Sequence, residues 1–323
     1  MLAPALHAGE LPAEALAVQA TLLDGGVALG VAMHHAVADG RSVWSFLRAW
    51  AAECRGEAPD EPPPTFDRAA LRLPGGVDLA RTVLRKYAPN LPLVTDMPNY
   101  LVRARGPGLE LSRRTLAVSG RDIRRLKQRI EDMDKQQLRL AQPISSLVAL
   151  TELAWTSHIR CKRGEVNPKD DVYLFFFTDV RGQLDPPVEE SYFGACIVGC
   201  VATAAARDIL AEDGVSTAAA AAQTEVMRAA EDPLARWDWM ETAAALPLER
   251  TLSVSGSVRF PAYEATDFGW GPPARTELAT MRRDGQVVLV GGRGGDGGVQ
   301  ASVAMHAARI DAFESHFRSW LHE

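Results

Sequence analysis

The chain has few cysteines, no long apolar run and no surplus of basic charge, and each of these absences excludes something. Four cysteines in 323 residues (Cys54, Cys161, Cys196 and Cys200) fit neither a disulfide framework nor a zinc-ligand spacing. Cys196 and Cys200 lie in an apolar, strand-like run and read as buried thiols. No stretch of about 20 apolar residues occurs, so no membrane-spanning helix is expected. Residues 1–20 lack the basic start and compact apolar run of a secretory signal, which points to a cytoplasmic protein. With 35 basic against 41 acidic residues the net charge is −6, and the basic residues are scattered, so nucleic acid is not an expected partner. There is no repeat of fixed period.

What is present is enough apolar content, 47%, to bury a sizeable core in one large domain or two of moderate size. Apolar runs at 16–23 and 27–33 flank Asp24-Gly25-Gly26, the composition of a hairpin turn. In the second run Val27, Leu29, Val31 and Met33 share one face, while Ala28, Gly30 and Ala32 share a small one on which something should pack closely. After His35–Gly40, the residues Val43, Phe46, Leu47 and Trp50 have the spacing of an amphipathic helix, with Ser42 available as its cap. Prolines and acidic residues over 56–66 end that helix, and regular structure is expected to stay weak until about Leu109, as in a crossover between two lobes. From Leu111 a strand is predicted, then a helix capped by Ser119, a helix over about 145–160, and strands near 172–178, 197–203, 287–290 and 299–305. A closing helix carries Ile310, Phe313, Phe317 and Leu321. Strands interleaved with helices define an α/β protein with mixed sheets.

Two segments stand out chemically. His34 and His35 follow a strand in a turn rich in small residues. An imidazole, with an unperturbed pKa near 6.5, accepts a proton from an alcohol readily at neutral pH. Ala36 and Ala38 leave room beside the ring, and Gly40 allows a backbone conformation that other residues resist. The residues alone leave two alternatives open for the histidines: a satisfied core residue, or a metal ligand together with Asp39. For Asp39 they leave a helix cap or a buried ion pair beside any direct proton transfer. The second segment, Asp267-Phe268-Gly269-Trp270-Gly271-Pro272-Pro273, reads as a rigid loop packed on another element, with Asp267 capping or pairing and Trp270 supplying contact area.

Together, the His-x3-Asp-Gly box at His35–Gly40 and the Asp-Phe-Gly-Trp-Gly box at Asp267–Gly271 resemble the hallmarks of the plant BAHD acyl-coenzyme A-dependent acyltransferases, in the family's order. Supporting stretches are Gly26–Val31, Asp179-Val180-Arg181 and Ser255–Phe260, and the resemblance covers nearly the whole chain. Tyr192-Phe193-Gly194-Ala195-Cys196 looks closest to the subgroup acting on anthocyanin and phenolic glucosides, with Ala195 where the family usually has asparagine.

The resemblance implies a two-lobed, chloramphenicol-acetyltransferase-like α/β fold with mixed sheets and the active-site channel between the lobes. On that picture residues 1–60 are the remainder of an N-terminal lobe, 61–110 the crossover connector and 111–323 the C-terminal lobe. It makes His35 the general base and Asp39 an orienting residue paired with an arginine, for which Arg181 is the candidate. A direct His35–Asp39 dyad is the competing arrangement. Ser255 and Ser257 are candidate oxyanion donors, and Gly40 and Asp267, Phe268, Gly269, Trp270 and Gly271 are structural. The implied reaction moves a malonyl or hydroxycinnamoyl group from coenzyme A to a hydroxyl of a phenolic glucoside. It needs acyl-coenzyme A as co-substrate, no bound cofactor, no metal and no partner beyond donor and acceptor, in a monomer. The alternatives are acyl transfer to an amine, or an inactive relative acting only as a binding protein. Family members usually carry a substantial segment ahead of the histidine box, and without it the hairpin and the helix after it should expose apolar faces.

Overall fold

The computed structural model describes residues 2–6, 9–71, 73–94, 110–135, 137–279 and 281–322. The two N-terminal apolar runs form a hairpin. β1 (Leu16–Leu23) pairs antiparallel with β2 (Gly26–Met33), Leu23 opposite Gly26, around a two-residue turn in which Gly25 takes φ 86°. The register puts Leu16, Val18, Leu22, Val27 and Leu29 on one face, and Leu22 is 86% exposed. The small face is covered by the chain's own start, since a Cβ at Gly30 would lie 2.0 Å from the Leu2 carbonyl oxygen.

β2 runs through the histidine turn into α1 (Gly40–Arg55). The cap is Asp39 rather than Ser42: its Oδ1 accepts from the Ser42 N–H at 3.0 Å, and Ser42 is buried inside the first turn. A glycine is needed at 40 for a different reason from the one expected. Its backbone is not left-handed, but a Cβ there would lie 2.6 Å from the Phe260 ring.

The connector carries more structure than its sequence suggested. It contains a short 3-10 turn at Arg68–Ala70 and a helix, α2 (Gly76–Tyr87), whose only buried residue is Tyr87. Leu79, Val83 and Tyr87 recur every four residues along it, an apolar stripe at helical spacing inside a stretch whose prolines and acidic residues read as a weak connector. Lys86 in its last turn ties it to the rest of the chain, lying 2.7 Å from Glu241 and 4.9 Å over the Trp237 ring. The rest of the expected weak stretch, residues 95–109, lies outside the described residues.

β3 (Leu111–Val118), β4 (Asp171–Asp179), β5 (Ile197–Ala205), β6 (Thr251–Gly256), β7 (Gln286–Gly291) and β8 (Val299–His306) form one mixed sheet in the order β3-β8-β7-β6-β4-β5. β6 pairs parallel with β4 and β7, and the other neighbours are antiparallel. β6 was not anticipated, although Leu252 and Val254 alternate with Ser253 and Ser255 as a half-buried strand requires. One sheet face supplies Leu174, Phe176, Leu252, Val254, Val287 and Val303 to the main core. Packed there are α3 (Gly120–Asp134), α4 (Ser146–Arg160), α5 (Ala206–Leu210), α6 (Gly214–Glu231) and α8 (Ala307–His322). Ser119 and Ser145 cap α3 and α4, each accepting a backbone N–H at 3.1 Å. Cys196 and Cys200 are both buried thiols. On the opposite face, α7 (Trp239–Ala245) sets Trp239 5.7 Å from Phe175 and 5.1 Å from Phe177, in space that Gly199 leaves open.

Candidate active site

The turn between β2 and α1 separates the two histidines. His34 is drawn into the turn: its Nδ1 accepts the Ala36 N–H at 3.2 Å and its carbonyl accepts the Val37 N–H at 2.9 Å. His35 is exposed and lines a cleft of ≈3170 Å³ between the hairpin, α1, the end of β6 and the chain after it.

Asp39 points the other way, into the protein. Its Oδ2 lies 2.8 Å from Arg181 Nη2 and accepts the Cys196 N–H at 3.0 Å, while its backbone N–H reaches Gly194 O at 3.3 Å. Arg181 also pairs with Asp179 at 3.0 Å and donates to Gly194 O at 3.1 Å. Ser42 Oγ closes the ring, accepting from Gly194 N at 3.0 Å and lying 2.9 Å from Gly194 O. The Asp39 side chain is 1% exposed and that of Arg181 4%. Burial works against the Arg181 charge, but Asp39 and Asp179 outweigh it and hold the guanidinium above its ordinary range. Among the described residues no hydrogen bond joins Asp39 to His35, so the site has an anchored turn rather than a dyad.

Ser255 and Ser257 line the same cleft, and Ser257 Oγ accepts the Arg259 N–H at 3.2 Å. Cations line it too. Arg41, Arg48 and Arg275 are paired with Glu190, Glu61 and Glu277, whereas Arg113 donates to the Met281 carbonyl. Arg259 and Arg282 face no carboxylate partner among the described residues. Among those residues, no three His, Cys, Asp or Glu side chains gather into a metal site, and no helix is long and apolar enough to cross a membrane.

The second box sits at the far end of α1. Asp267 Oδ1 accepts the N–H groups of Gly269 and Gly271, both at 2.9 Å, and these glycines take φ 100° and 89°. Arg55 of α1 donates to the Asp267 carbonyl, and the Phe268 ring meets Trp50 edge-on at 4.9 Å. The aromatic that packs is therefore Phe268. Trp270, expected to supply contact area, is 80% exposed because the loop turns it outward.

Sequence reasoning missed the contribution of residues 192–196, which meet the turn mostly through backbone atoms. It also missed Arg68 of the connector, which holds that segment by donating to Tyr192 Oη at 2.9 Å and Phe193 O at 2.5 Å. Backbone partners carry no residue-type signal, and nothing about Arg68 marks it in the sequence.

A mixed sheet backed by helices, with a histidine turn across a cleft from the β6 end, defines the two-lobed chloramphenicol-acetyltransferase-like fold. Vinorine synthase shares it with a TM-score of 0.67 over 95% of this chain and 66% of that one, at 22% identity. A family model described as "Transferase family" matches residues 1–320, and the chain belongs to that family, the BAHD acyltransferases. Phenolic glucoside malonyltransferase 2 of Arabidopsis thaliana is 29% identical, across 99% of this chain and 71% of the relative. Malonyl-CoA:anthocyanidin 5-O-glucoside-6''-O-malonyltransferase of the same plant is 30% identical, covering 98% and 71%. Its agmatine coumaroyltransferase is 28% identical, covering 92% and 66%. The chain thus spans 66–71% of the length of these curated relatives.

Proposed function

We propose that the chain transfers an acyl group, malonyl or hydroxycinnamoyl, from coenzyme A to a hydroxyl of a phenolic glucoside, with His35 as the general base. The observation that carries this reading is the division of labour in the histidine turn: Asp39 and Arg181 are buried against each other while His35 is left exposed on the cleft. His35 takes the hydroxyl proton as the acceptor oxygen attacks the thioester carbonyl. The tetrahedral intermediate then collapses with loss of the thiolate, which receives that proton, leaving ester and free thiol. Base catalysis of this kind is worth about 10²–10⁴-fold. Ser255 and Ser257 are the candidate donors toward the oxyanion, each such donor worth about 10²–10³-fold.

A malonyl donor brings a free carboxylate, and among the described residues Arg113, Arg259 and Arg282 are cleft-lining cations not paired with an acidic side chain. Two malonyltransferase relatives support that donor. A second reading, transfer to an amine with the same base, is supported by the similarity to agmatine coumaroyltransferase. We further propose that residues 1–60 and 111–323 act as two lobes joined by 61–110. The protein works as a cytoplasmic monomer, a setting that suits four unpaired cysteines.

The test is acyl transfer by the purified chain from malonyl- and coumaroyl-coenzyme A to a panel of flavonoid glucosides and to agmatine. Product that depends on His35 supports the reading and its acceptor selects between the two forms. A folded protein giving none with either donor would favour a binding role instead.

A further inference from the structure

Glu152 lies in α4, two turns in from the Ser145 cap, fully buried, with neither carboxyl oxygen hydrogen-bonded. Buried polar groups are nearly always paired, because an unpaired one loses its hydration for nothing in return. Glu152 also lines the cleft, with Val148 and Thr151 of its own helix, Phe176, Val226 and Val254. Among the described residues, it is the one cleft-lining side chain that has an unpartnered buried polar atom. The other unpartnered groups, such as those of Ser157 and His158, belong to residues that do not line it.

The surroundings define the chemistry. Among the described residues no cation or hydrogen-bond donor reaches the carboxyl, and burial pushes it well above the usual carboxylate range, which favours the neutral acid. A neutral carboxylic acid offers one O–H donor beside one C=O acceptor. A secondary amide meets it at one point at a time, because its trans N–H and C=O point in opposite directions: the carboxyl donates to an amide C=O or accepts from an amide N–H. The wall around the carboxyl is made by Val148, Phe176, Val226 and Val254, which suits an arm that is mostly hydrocarbon between isolated amides better than a sugar carrying several hydroxyls. Of the two substrates in the proposed reaction, the acyl donor is the one with secondary amides, in the pantetheine arm that must bring the thioester to His35 through this cleft.

We propose that Glu152 is a binding residue for the acyl donor, pairing its carboxyl with a secondary amide of the pantetheine arm at the inner wall of the cleft. This assignment rests on the acyl-coenzyme A reading above. The bound arm would supply the partners that the free protein lacks, so donor binding recovers hydrogen bonds at a site already desolvated.

The experiment is calorimetric titration of the full chain with coenzyme A and, separately, with adenosine 3′,5′-bisphosphate, which lacks the arm. It uses wild type, Glu152→Met and Glu152→Gln, each checked for an intact thermal transition. Methionine keeps the length of the side chain without hydrogen bonds, and glutamine keeps one donor and one acceptor group. The expected result is coenzyme A affinity lowered about tenfold by methionine and held within about threefold by glutamine, with the bisphosphate unaffected by either. Coenzyme A affinity unchanged in Glu152→Met overturns the assignment and leaves the enzyme reading intact. Equal weakening of the bisphosphate overturns it too, by tracing the loss to general distortion. Wild type that binds no coenzyme A defeats the donor reading itself, and this inference with it.

Discussion

Arg181, just after β4, reaches the turn before α1 and binds Asp39 at 2.8 Å in a fully packed setting. The pair holds one end of the histidine turn to the large sheet, and three further bonds from Ser42, Cys196 and Gly194 lock it. Breaking a buried pair by removing one partner strands the other charge without water.

Arg181→Ala should therefore lower unfolding free energy by about 3–5 kcal/mol, as read by urea denaturation. Asp39→Asn should cost less than Asp39→Ala, because the amide oxygen still accepts from Ser42 N or Cys196 N. In both Asp39 variants turnover should fall with His35 still in place, because the turn that aims it is loosened. Full activity together with full stability in Asp39→Asn would contradict both the anchoring role and a dyad.

His35 is exposed and bears no packing load, so His35→Ala should leave the thermal transition unchanged within about 0.5 kcal/mol while lowering kcat by about 10²–10⁴-fold. His34→Ala should behave in the opposite sense. It loses the Ala36 hydrogen bond and part of the turn's rigidity, with stability changing more than it does in His35→Ala.

At the far end of α1, Phe268→Ala removes the edge-to-face contact with Trp50, worth about 0.5–1.5 kcal/mol beyond the area it buries. Gly269→Ala forces a side chain onto φ 100°, at a cost of about 1–2 kcal/mol. Hydrogen exchange should speed up in residues 267–271 and in the last turn of α1 in both variants. Trp270→Ala should do little, because that ring is 80% exposed.

Glu152 gives a pH signature. Its carboxyl is raised in the folded protein by burial, so the stability it contributes is complete below the unfolded value of about 4.3 and declines as pH rises toward the folded value. His158 is lowered, by burial first and then by the neighbouring Lys162 charge, and so acts in the opposite sense, weakening the fold as pH drops below about 6.5. Subtracting a variant isolates one from the other. The unfolding free energy of Glu152→Gln minus that of wild type should grow with pH from 5 to 8, by up to about 1.4 kcal/mol per unit. A difference flat across that range would show the carboxyl already ionised.

The bare face of the hairpin predicts dye binding. Leu22 is 86% exposed and Val27 47%, with Leu16, Val18 and Leu29 beside them. Leu22→Lys combined with Val27→Lys should lower binding of a hydrophobic dye. The main thermal transition should not move, because the hairpin adds nothing to the core of the six-stranded sheet.

The sequence by itself determined the local pieces: the hairpin from its Asp-Gly turn between apolar runs, most strands and helices of the large lobe from their periodicity, and the histidine turn from the two boxes read together. Those signals are carried by residue type at short spacing, which a linear reading can see. It missed α2, whose stripe of Leu79, Val83 and Tyr87 lies inside a proline-flanked connector, and β6, whose Ser253 and Ser255 break the continuous apolar run that marks β7. Only the tertiary structure decided that Asp39 turns inward while His35 faces the cleft. That outcome rests on Arg181 and on backbone groups of residues 194–196, brought to the turn by the sheet. It also decided that Phe268 packs while Trp270 does not, and that Glu152, an ordinary helix residue in the sequence, has its carboxyl buried at the wall of the cleft. Burial and partnership are properties of the assembled packing, and a residue's neighbours in space are not written beside it in the chain.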